Sequence, residues 1–338
     1  MARELRIDPL SGLRTIVAGE RGERPGAWLA PAGEPEAIDP ATDPFAEGNE
    51  DRTPPEVFAI RPGGSAPDTP GWRVRVVPNL YPALAEASDG EQPGAPPDPL
   101  ASGRGEPSLF TSGPALGAHE VIVHTPRPVA SLGALDEDEI AGALEVWRER
   151  MRAHADAACV HLIVNEGRDA GASLPHTHAQ LYALPFVPAA LARERERFTA
   201  HFERTQGRNL LEDVLQEEVR RGERIVAVAG DAVALCPYAA RVPFQVQIVP
   251  RTPRARFEDQ GPLGSALLLE VLGRLERALG ALPPYNLWVR TAPRGAERYC
   301  WRIDLLPRLA QVAGLELGSG LNLNIVAPER AAELLRAA

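Results

Sequence analysis

The sequence predicts an α+β fold built from two halves of similar organisation. The chain has 338 residues, and one hydrophobic core rarely grows so large, so two lobes of roughly 150 residues each are expected. Hydrophobic residues make up 44% of the sequence and charged residues 24%, which is typical of a folded globular protein. Candidate strands and helices alternate along the chain, and one order of strand, long helix and paired strands occurs twice.

The first half begins with short strands and reaches a long helix. Extended segments at 14–18 and 72–77 are separated by turns rich in proline and glycine. Residues 86–107 have almost nothing apolar to bury and predict a surface excursion. A half-buried strand is expected at 119–124. Residues 134–158 then carry apolar side chains at helical spacing, with acidic residues that favour a helix N-terminus.

A second group of candidate elements surrounds a glycine-rich turn. Strands are expected at 161–165 and 177–184, and the turn at 167–174 lies between them. Residues 189–207 and 209–221 are rich in charged side chains and predict two exposed helices. The turn is therefore expected to join paired strands.

The order of strand, long helix and paired strands then recurs. Residues 244–250 resemble the strand before the first long helix, and 263–282 form a second long amphipathic pattern. Residues 286–290 and 299–306 echo the strands on either side of the turn. All seven histidines precede residue 202. We therefore expect the chemistry in the first copy, with the second as a scaffold or a substrate-binding half.

Charge and cysteine content argue against several classes of function. Acidic residues outnumber basic ones by 46 to 36, and no dense Lys/Arg stripe is present, so we expect no nucleic-acid partner. Small phosphorylated ligands fit this charge, since a few arginines and backbone N–H groups can bind them. The three cysteines are far apart and predict neither disulfides nor a zinc knuckle, which indicates a reducing cytoplasm. No segment predicts a signal peptide or a membrane span.

The most informative segment runs from Asn165 to Gln180. Residues two apart in a strand share a face, so His176, His178 and Gln180 would present two imidazoles and an amide in one row. The glycine-rich turn before them can bring backbone N–H groups close to a phosphate, with Ser173 as a further donor. A neutral imidazole can attack phosphorus and later leave, which suits nucleotidyl transfer. A metal-ligand pair or a plain polar strand face is the alternative interpretation.

The same segment resembles the histidine-triad superfamily. Its His-x-His-x-Gln form, at 176–180, is similar to the galactose-1-phosphate uridylyltransferase family rather than to the hydrolases, which carry a third histidine. The resemblance extends over nearly the full length of the chain. Further matching segments are 6–12, 49–56, 75–84, 284–286, 306–308 and 313–320.

The resemblance implies two histidine-triad-like halves at residues 1–188 and 189–338, each an antiparallel sheet with packed helices. It makes His178 the nucleophile, with Gln180 as a hydrogen-bonding neighbour and His176 as the first histidine of the motif. The residues that it places at the substrate are Asn165, Gly171 and Ser173 at the phosphates, Arg21, Arg24 and Asn79 near the nucleotide, and Glu316, contributed to the hexose across a dimer interface.

The metal positions of the family are mostly lost from this sequence. The four positions of the family's structural zinc site read Asp43, Ala46, Pro128 and His176. Only His176 keeps a family ligand. A second metal site in some members uses a glutamate, here Glu194, with C-terminal histidines, and this sequence has no histidine there. We therefore expect no metal cofactor, with His176 hydrogen-bonded as a neutral imidazole.

Together these features predict an enzyme that moves a nucleoside monophosphate, expected to be UMP, between a nucleotide sugar and a hexose 1-phosphate through a covalent nucleotidyl-histidine. A nucleoside-diphosphosugar phosphorylase or a dinucleoside-polyphosphate phosphorylase is the alternative, since inorganic phosphate can accept from the same nucleophile. A non-catalytic nucleotide-binding regulator is the third hypothesis. We expect a cytoplasmic homodimer with no membrane partner.

Overall fold

The computed structural model of the protein describes residues 3–23, 37–88, 91, 93–96, 98, 109–259, 261 and 264–338. Its α-helices are α1 (Glu137–Ala153), α2 (Ala189–Thr205), α3 (Leu210–Arg221), α4 (Ser265–Leu279), α5 (Gly314–Ser319) and α6 (Pro328–Ala337). Its strands are β1 (Glu4–Ile7), β2 (Arg14–Val17), β3 (Phe58–Ile60), β4 (Val74–Pro78), β5 (Ala118–Val123), β6 (Cys159–Glu166), β7 (His178–Leu184), β8 (Ile225–Ala229), β9 (Ala232–Leu235), β10 (Val246–Pro250), β11 (Tyr285–Arg290), β12 (Arg302–Pro307) and β13 (Asn322–Asn324). The predicted surface excursion at 86–107 lies largely outside the described residues. Within them, no helix is both long and apolar enough to cross a bilayer.

One ten-stranded antiparallel sheet runs in the order β3-β4-β5-β7-β6-β11-β12-β10-β9-β8. Each half contributes five neighbouring strands, and the halves join where β6 pairs with β11. These two strands follow the long helices α1 and α4, so the strand order reads the same from both edges. The predicted α+β fold is confirmed. The division into domains at 1–188 and 189–338 stays a prediction, because the sheet is continuous across it.

The side chains of the central strands alternate between two faces of the sheet. Leu162, Ala179 and Leu181 are fully buried in one core with the apolar sides of α1 and α4. His178 and Gln180, which alternate with them on β7, lie on the opposite face. A fully buried leucine stabilises the fold by about 2 kcal/mol. Because a slip of one residue would exchange the two faces, the apolar row fixes the direction in which His178 points.

The face of the sheet that carries His178 is covered toward each of its two edges. Over the second half, α2 and α3 pack on it through Phe198 and Leu211. Over the first half, Phe45 and Trp72 pack against β4 and β5. The strands between these two covers, β7, β6, β11 and β12, carry the polar side chains of the site. We call this middle region the site face.

A smaller sheet, in the order β1-β2-β13, ties the two ends of the chain together. β2 pairs antiparallel with β1 and parallel with β13. Buried Arg6 on β1 donates to Glu329 of α6 over 2.9 Å and to the carbonyl oxygen of Tyr238 over 3.0 Å. The N-terminal strand is thereby held on the second half.

Candidate active site

His178 is the first residue of β7, and the residue is 9% exposed. Its Nδ1 lies 2.8 Å from the carbonyl oxygen of His176. A carbonyl only accepts, so Nδ1 carries the proton and Nε2 keeps a lone pair. Burial lowers the pKa of the His178 imidazole from its usual 6.5, despite the opposing effect of this hydrogen bond. The ring is therefore neutral near pH 7, with Nε2 ready to act as a nucleophile.

A chain of hydrogen bonds holds Thr177, the residue between the two histidines of the motif. Trp147 Nε1 on α1 donates to His124 Nε2 over 3.1 Å, and His124 Nδ1 lies 2.9 Å from Thr177 Oγ1. Thr177 then donates to Glu166 Oε1 over 2.7 Å. Burial holds the pKa of His124 well below its usual value, so the ring is neutral. The backbone that presents His178 is thereby fixed to α1 and β6.

His176 forms a buried pair with Asp43, which lies far away in the sequence. Its Nδ1 is 2.6 Å from Asp43 Oδ2, and its Nε2 is 2.9 Å from the carbonyl oxygen of Thr125. Both partners are acceptors. The neutral imidazole predicted from the sequence has one N–H and satisfies only one of them, whereas an imidazolium paired with a carboxylate satisfies both. The hydrogen bonds therefore favour an ion pair at this position.

The glycine-rich turn follows β6 directly. Gly167 and Gly171 have φ of +81° and +89°, a region that favours glycine. A Cβ at Gly167 would also lie 2.8 Å from the Pro284 side chain. Ser173 is exposed on the same segment. Both positions therefore favour glycine for their backbone conformation, and Gly167 also allows the turn to pack closely against Pro284.

Asn165 is held in place by a second asparagine from the other half. Asn286 Nδ2 on β11 donates to Asn165 Oδ1 over 2.8 Å and to the carbonyl oxygen of Ala170 over 2.7 Å. Val164 pairs with Ala179, which leaves the next residue, Asn165, beside the start of β7 on the site face. Since its oxygen is engaged, the Nδ2 group of Asn165 remains as a donor for a ligand.

Gln180 and Asn79 meet around a third side chain, His119. The amide oxygen of Gln180 accepts from the Tyr182 hydroxyl over 2.9 Å and lies 3.0 Å from His119 Nε2. Asn79 Nδ2 lies 3.1 Å from the same nitrogen. The structure therefore brings two predicted site residues together, through a histidine that the sequence analysis placed only in a strand.

Comparison with known proteins shows the family of this chain. The family described as "Galactose-1-phosphate uridyl transferase, N-terminal domain" matches residues 1–188. A galactose-1-phosphate uridylyltransferase of Haemophilus influenzae is 30% identical over 68% of this chain and 69% of its own length. The chain belongs to the galactose-1-phosphate uridylyltransferase family. It is thus an enzyme of the nucleotidyltransferase and phosphorylase type.

Two further comparisons cover nearly the whole chain. An ADP-glucose phosphorylase of Arabidopsis thaliana is 27% identical over 98% of this chain and 92% of its own length. The crystal structure of an ADP-glucose phosphorylase from this plant with bound ADP-glucose has a TM-score of 0.80 at 25% identity, covering 100% of this chain and 99% of that chain. The similarity therefore includes both halves.

The position of the family's structural zinc does not fit a metal here. Asp43 and His176 are engaged with each other, and Ala46 and Pro128 have no side chain that binds metal. A closed zinc site needs about four ligands. Within the described ranges, no group of three or more His, Cys, Asp or Glu side chains is placed to hold an ion. That the protein is free of zinc stays a prediction.

The second metal position of the family is filled by charged side chains instead. Arg302 donates to Glu194 over 3.0 Å, and Tyr299 donates to the other oxygen of the same carboxylate. Arg302 Nε also lies 3.0 Å from Asp304 Oδ2. Arg290 Nε lies 3.8 Å from Glu194 and 3.9 Å from Asp304, so two guanidinium groups balance the two buried carboxylates.

Three predicted substrate residues are not joined to His178 in the described part of this chain. Arg24 lies outside the described residues. Arg21 is exposed on the turn after β2, and Glu316 lies on α5, whose main neighbour is β13. No hydrogen bond or ion pair links either one to the His178 site within the ranges given above. The role of Glu316 toward a partner subunit stays a prediction.

Sequence reasoning missed two residues of the site, Asn286 and His119. Asn286 belongs to a segment that resembles the family, and His119 alternates with Val121 on β5. The strand face on which each residue lies could therefore be assigned from the sequence. Their partners could not, because Asn286 and Asn165 are 121 positions apart, and His119 and Gln180 are 61 apart. Only the strand order brings them together.

Proposed function

We propose that the protein moves a nucleoside monophosphate from a nucleotide sugar to a phosphate-bearing acceptor and that His178 carries the nucleotide between the two. The observation that carries this proposal is the 2.8 Å distance between His178 Nδ1 and the His176 carbonyl oxygen, which assigns the proton to Nδ1. Nε2 is therefore the free nucleophile. Membership of the family supports the same chemistry.

The two steps balance without a proton donor. In the first, Nε2 attacks the α-phosphorus, a P–N bond forms, and the P–O bond to the departing sugar 1-phosphate breaks. In the second, a phosphate oxygen of the acceptor attacks the same phosphorus, and the P–N bond breaks. His178 returns to its neutral form, with the proton still on Nδ1.

The groups around His178 suit a phosphoryl group in transfer. Asn165 keeps an N–H donor, and the exposed Ser173 lies on the turn that follows β6, where the N–H groups of Ala170, Gly171 and Ala172 already donate within the turn. Donors fixed in advance stabilise the charge on the phosphoryl oxygens without reorganisation. Gln180 has an amide but no acidic proton, which supports transfer over hydrolysis.

Two acceptors are proposed. The resemblance over nearly the whole chain to an ADP-glucose phosphorylase favours inorganic phosphate, with an adenine nucleotide as donor. The family's galactose-1-phosphate uridylyltransferases favour a hexose 1-phosphate, with UMP as the transferred group. His178 serves both reactions, so the acceptor decides between them.

A donor and acceptor screen tests this function. The purified chain is incubated with UDP-glucose or ADP-glucose alone, and the intact mass shows whether UMP or AMP becomes attached. Each donor is then combined with inorganic phosphate or galactose 1-phosphate, and products are separated. We expect one covalent adduct, from which either inorganic phosphate or galactose 1-phosphate removes the nucleotide. A protein that binds both nucleotide sugars without forming an adduct would be a regulator, and the proposal would be wrong.

The pH dependence of adduct formation follows from the lowered pKa of His178. Only the neutral imidazole attacks, so the rate falls when the ring gains a proton. We expect a constant rate from pH 8 down to about 6.5, the ordinary pKa of histidine, and a tenfold fall per pH unit only below the lowered pKa. Single-turnover rates across pH 5 to 8 measure this. A midpoint above about 6.5 would contradict the assignment.

Glu316 is proposed to reach the substrate of a partner subunit in a homodimer. Leu317 beside it is 79% exposed, which leaves an apolar surface on α5 for a second copy. Mixing inactive His178→Ala and Glu316→Ala chains should restore about a quarter of the wild-type activity, because half of the randomly exchanged dimers are hybrid and hold one intact site. Labelled subunits must be shown to exchange. Exchange without recovered activity would place Glu316 outside the site.

A further inference from the structure

The amide of Gln180 has its oxygen fully engaged by two neighbours. Oε1 accepts from the Tyr182 hydroxyl over 2.9 Å and lies 3.0 Å from His119 Nε2. An amide and its flipped form fill the same volume, so the partners decide which end points where. The tautomer of His119 therefore determines how Gln180 faces the substrate.

The backbone fixes that tautomer. Ala83 N–H donates to His119 Nδ1 over 3.1 Å, so Nδ1 is the acceptor and Nε2 carries the proton. Asn79 Nδ2, which is 3.1 Å from Nε2, is itself a donor, and its oxygen already accepts from Tyr81 N–H over 2.8 Å. Gln180 Oε1 is consequently the acceptor for the His119 proton. Asn79 Nδ2 already faces the His119 N–H as a donor, and a flipped Gln180 amide would place a second donor there and leave that N–H without an acceptor.

Packing supports the same arrangement. The rings of His119 and Tyr182 are stacked, with centroids 4.1 Å apart and planes 23° apart. Burial lowers the pKa of His119 and raises that of Tyr182, which keeps one ring neutral and the other hydroxyl protonated. Both side chains thus remain hydrogen-bond donors toward Gln180 near pH 7.

We propose that His119 and Tyr182 are positioning residues that direct the NH₂ group of Gln180 toward the phosphoryl group attached to His178. The inference rests on the proposed function. Gln180 and His178 are two residues apart on β7 and share a face, so their side chains are neighbours. An NH₂ group donates to a phosphoryl oxygen, whereas the amide oxygen would repel it. His119 and Tyr182 therefore act on the reaction only through Gln180.

A double-mutant cycle tests this path. His119→Phe keeps a ring against Tyr182 but removes the N–H, and it should slow formation of the nucleotidyl-enzyme roughly tenfold. Gln180→Leu should slow it roughly 10²-fold. In the double variant the rate should equal that of Gln180→Leu alone, because no amide remains to be oriented. Rates are measured in single turnovers with UDP-glucose and with ADP-glucose.

Tyr182→Phe is the matched second variant, since it removes one oxygen atom and keeps the stacked ring. It should also slow the step in the wild-type background and have no effect beside Gln180→Leu. Multiplying effects in both double variants would show a purely structural role and overturn the inference. If the wild-type protein forms an adduct and only the cycle fails, the proposed function stands. If no adduct forms at all, both are wrong.

Discussion

His178→Ala is expected to lose the covalent nucleotidyl adduct and to lower the turnover rate by roughly 10⁴-fold or more, because no other group replaces the nucleophile. The side chain is buried against Phe45, with ring centroids 5.2 Å apart, so the variant keeps its fold with a small cavity. Intact-mass analysis after exposure to a nucleotide sugar measures the adduct, and a coupled assay measures turnover.

His201→Ala is the matched control for this variant. It removes the same ring from α2, where His201 pairs with Asp213 over 2.7 Å, and no bond joins it to His178 in the described residues. We expect normal adduct formation. An adduct that persists in His178→Ala, or peptide mapping that places the nucleotide on His176, would show that the nucleophile has been assigned wrongly.

Asp43→Asn is expected to lower the free energy of unfolding by about 3 kcal/mol, because it leaves the buried His176 without its charged partner. The isosteric amide can still accept from Phe45 N–H, as Asp43 does over 3.0 Å, so the loss is confined to the pair. Urea unfolding followed by tryptophan fluorescence measures the change. Asp51→Asn, on an exposed carboxylate of the following turn, should leave the stability unchanged.

The same ion pair predicts a protein that folds without zinc. Treatment with a chelator should leave the urea midpoint unchanged, and elemental analysis should find no stoichiometric metal. About one zinc per chain, whose removal unfolds the protein, would mean that Asp43 and His176 are ligands rather than partners of each other.

The spacing of apolar side chains predicted those helices and strands that have a regular sequence pattern. The helical spacing at 134–158 corresponds to α1, and the period of two around the His-x-His motif corresponds to β7. The hairpin of β8 and β9 was not predicted, although Gly230 at its turn has φ of +55°, because the surrounding run is rich in alanine and suits a helix equally well.

The contacts that define the site could not be predicted in this way. Asp43 reaches His176 across 133 positions and Asn286 reaches Asn165 across 121. Such pairs depend on the order and register of strands, which one sequence leaves undetermined. The resemblance to the family also named Asp43 at the first lost metal position and Arg302 and Asp304 near the second, but it left their contacts open. Only the fold shows that Asp43 contacts His176 and that Arg302 contacts Glu194.

Because β6 pairs with β11, this chain resembles a dimer whose two subunits are fused into one polypeptide. Equivalent strands of the two halves meet there as two identical subunits would, and the edge that each half would otherwise expose is sealed by the other. Once the copies are linked, they are free to diverge. The first half carries His178, the proposed nucleophile, while Asn286 of the second half donates to the turn beside it. The second half therefore contributes to the proposed reaction, although it lacks the nucleophile. Substitutions where β6 pairs with β11 should change the rate of nucleotidyl transfer without contacting the phosphorus atom.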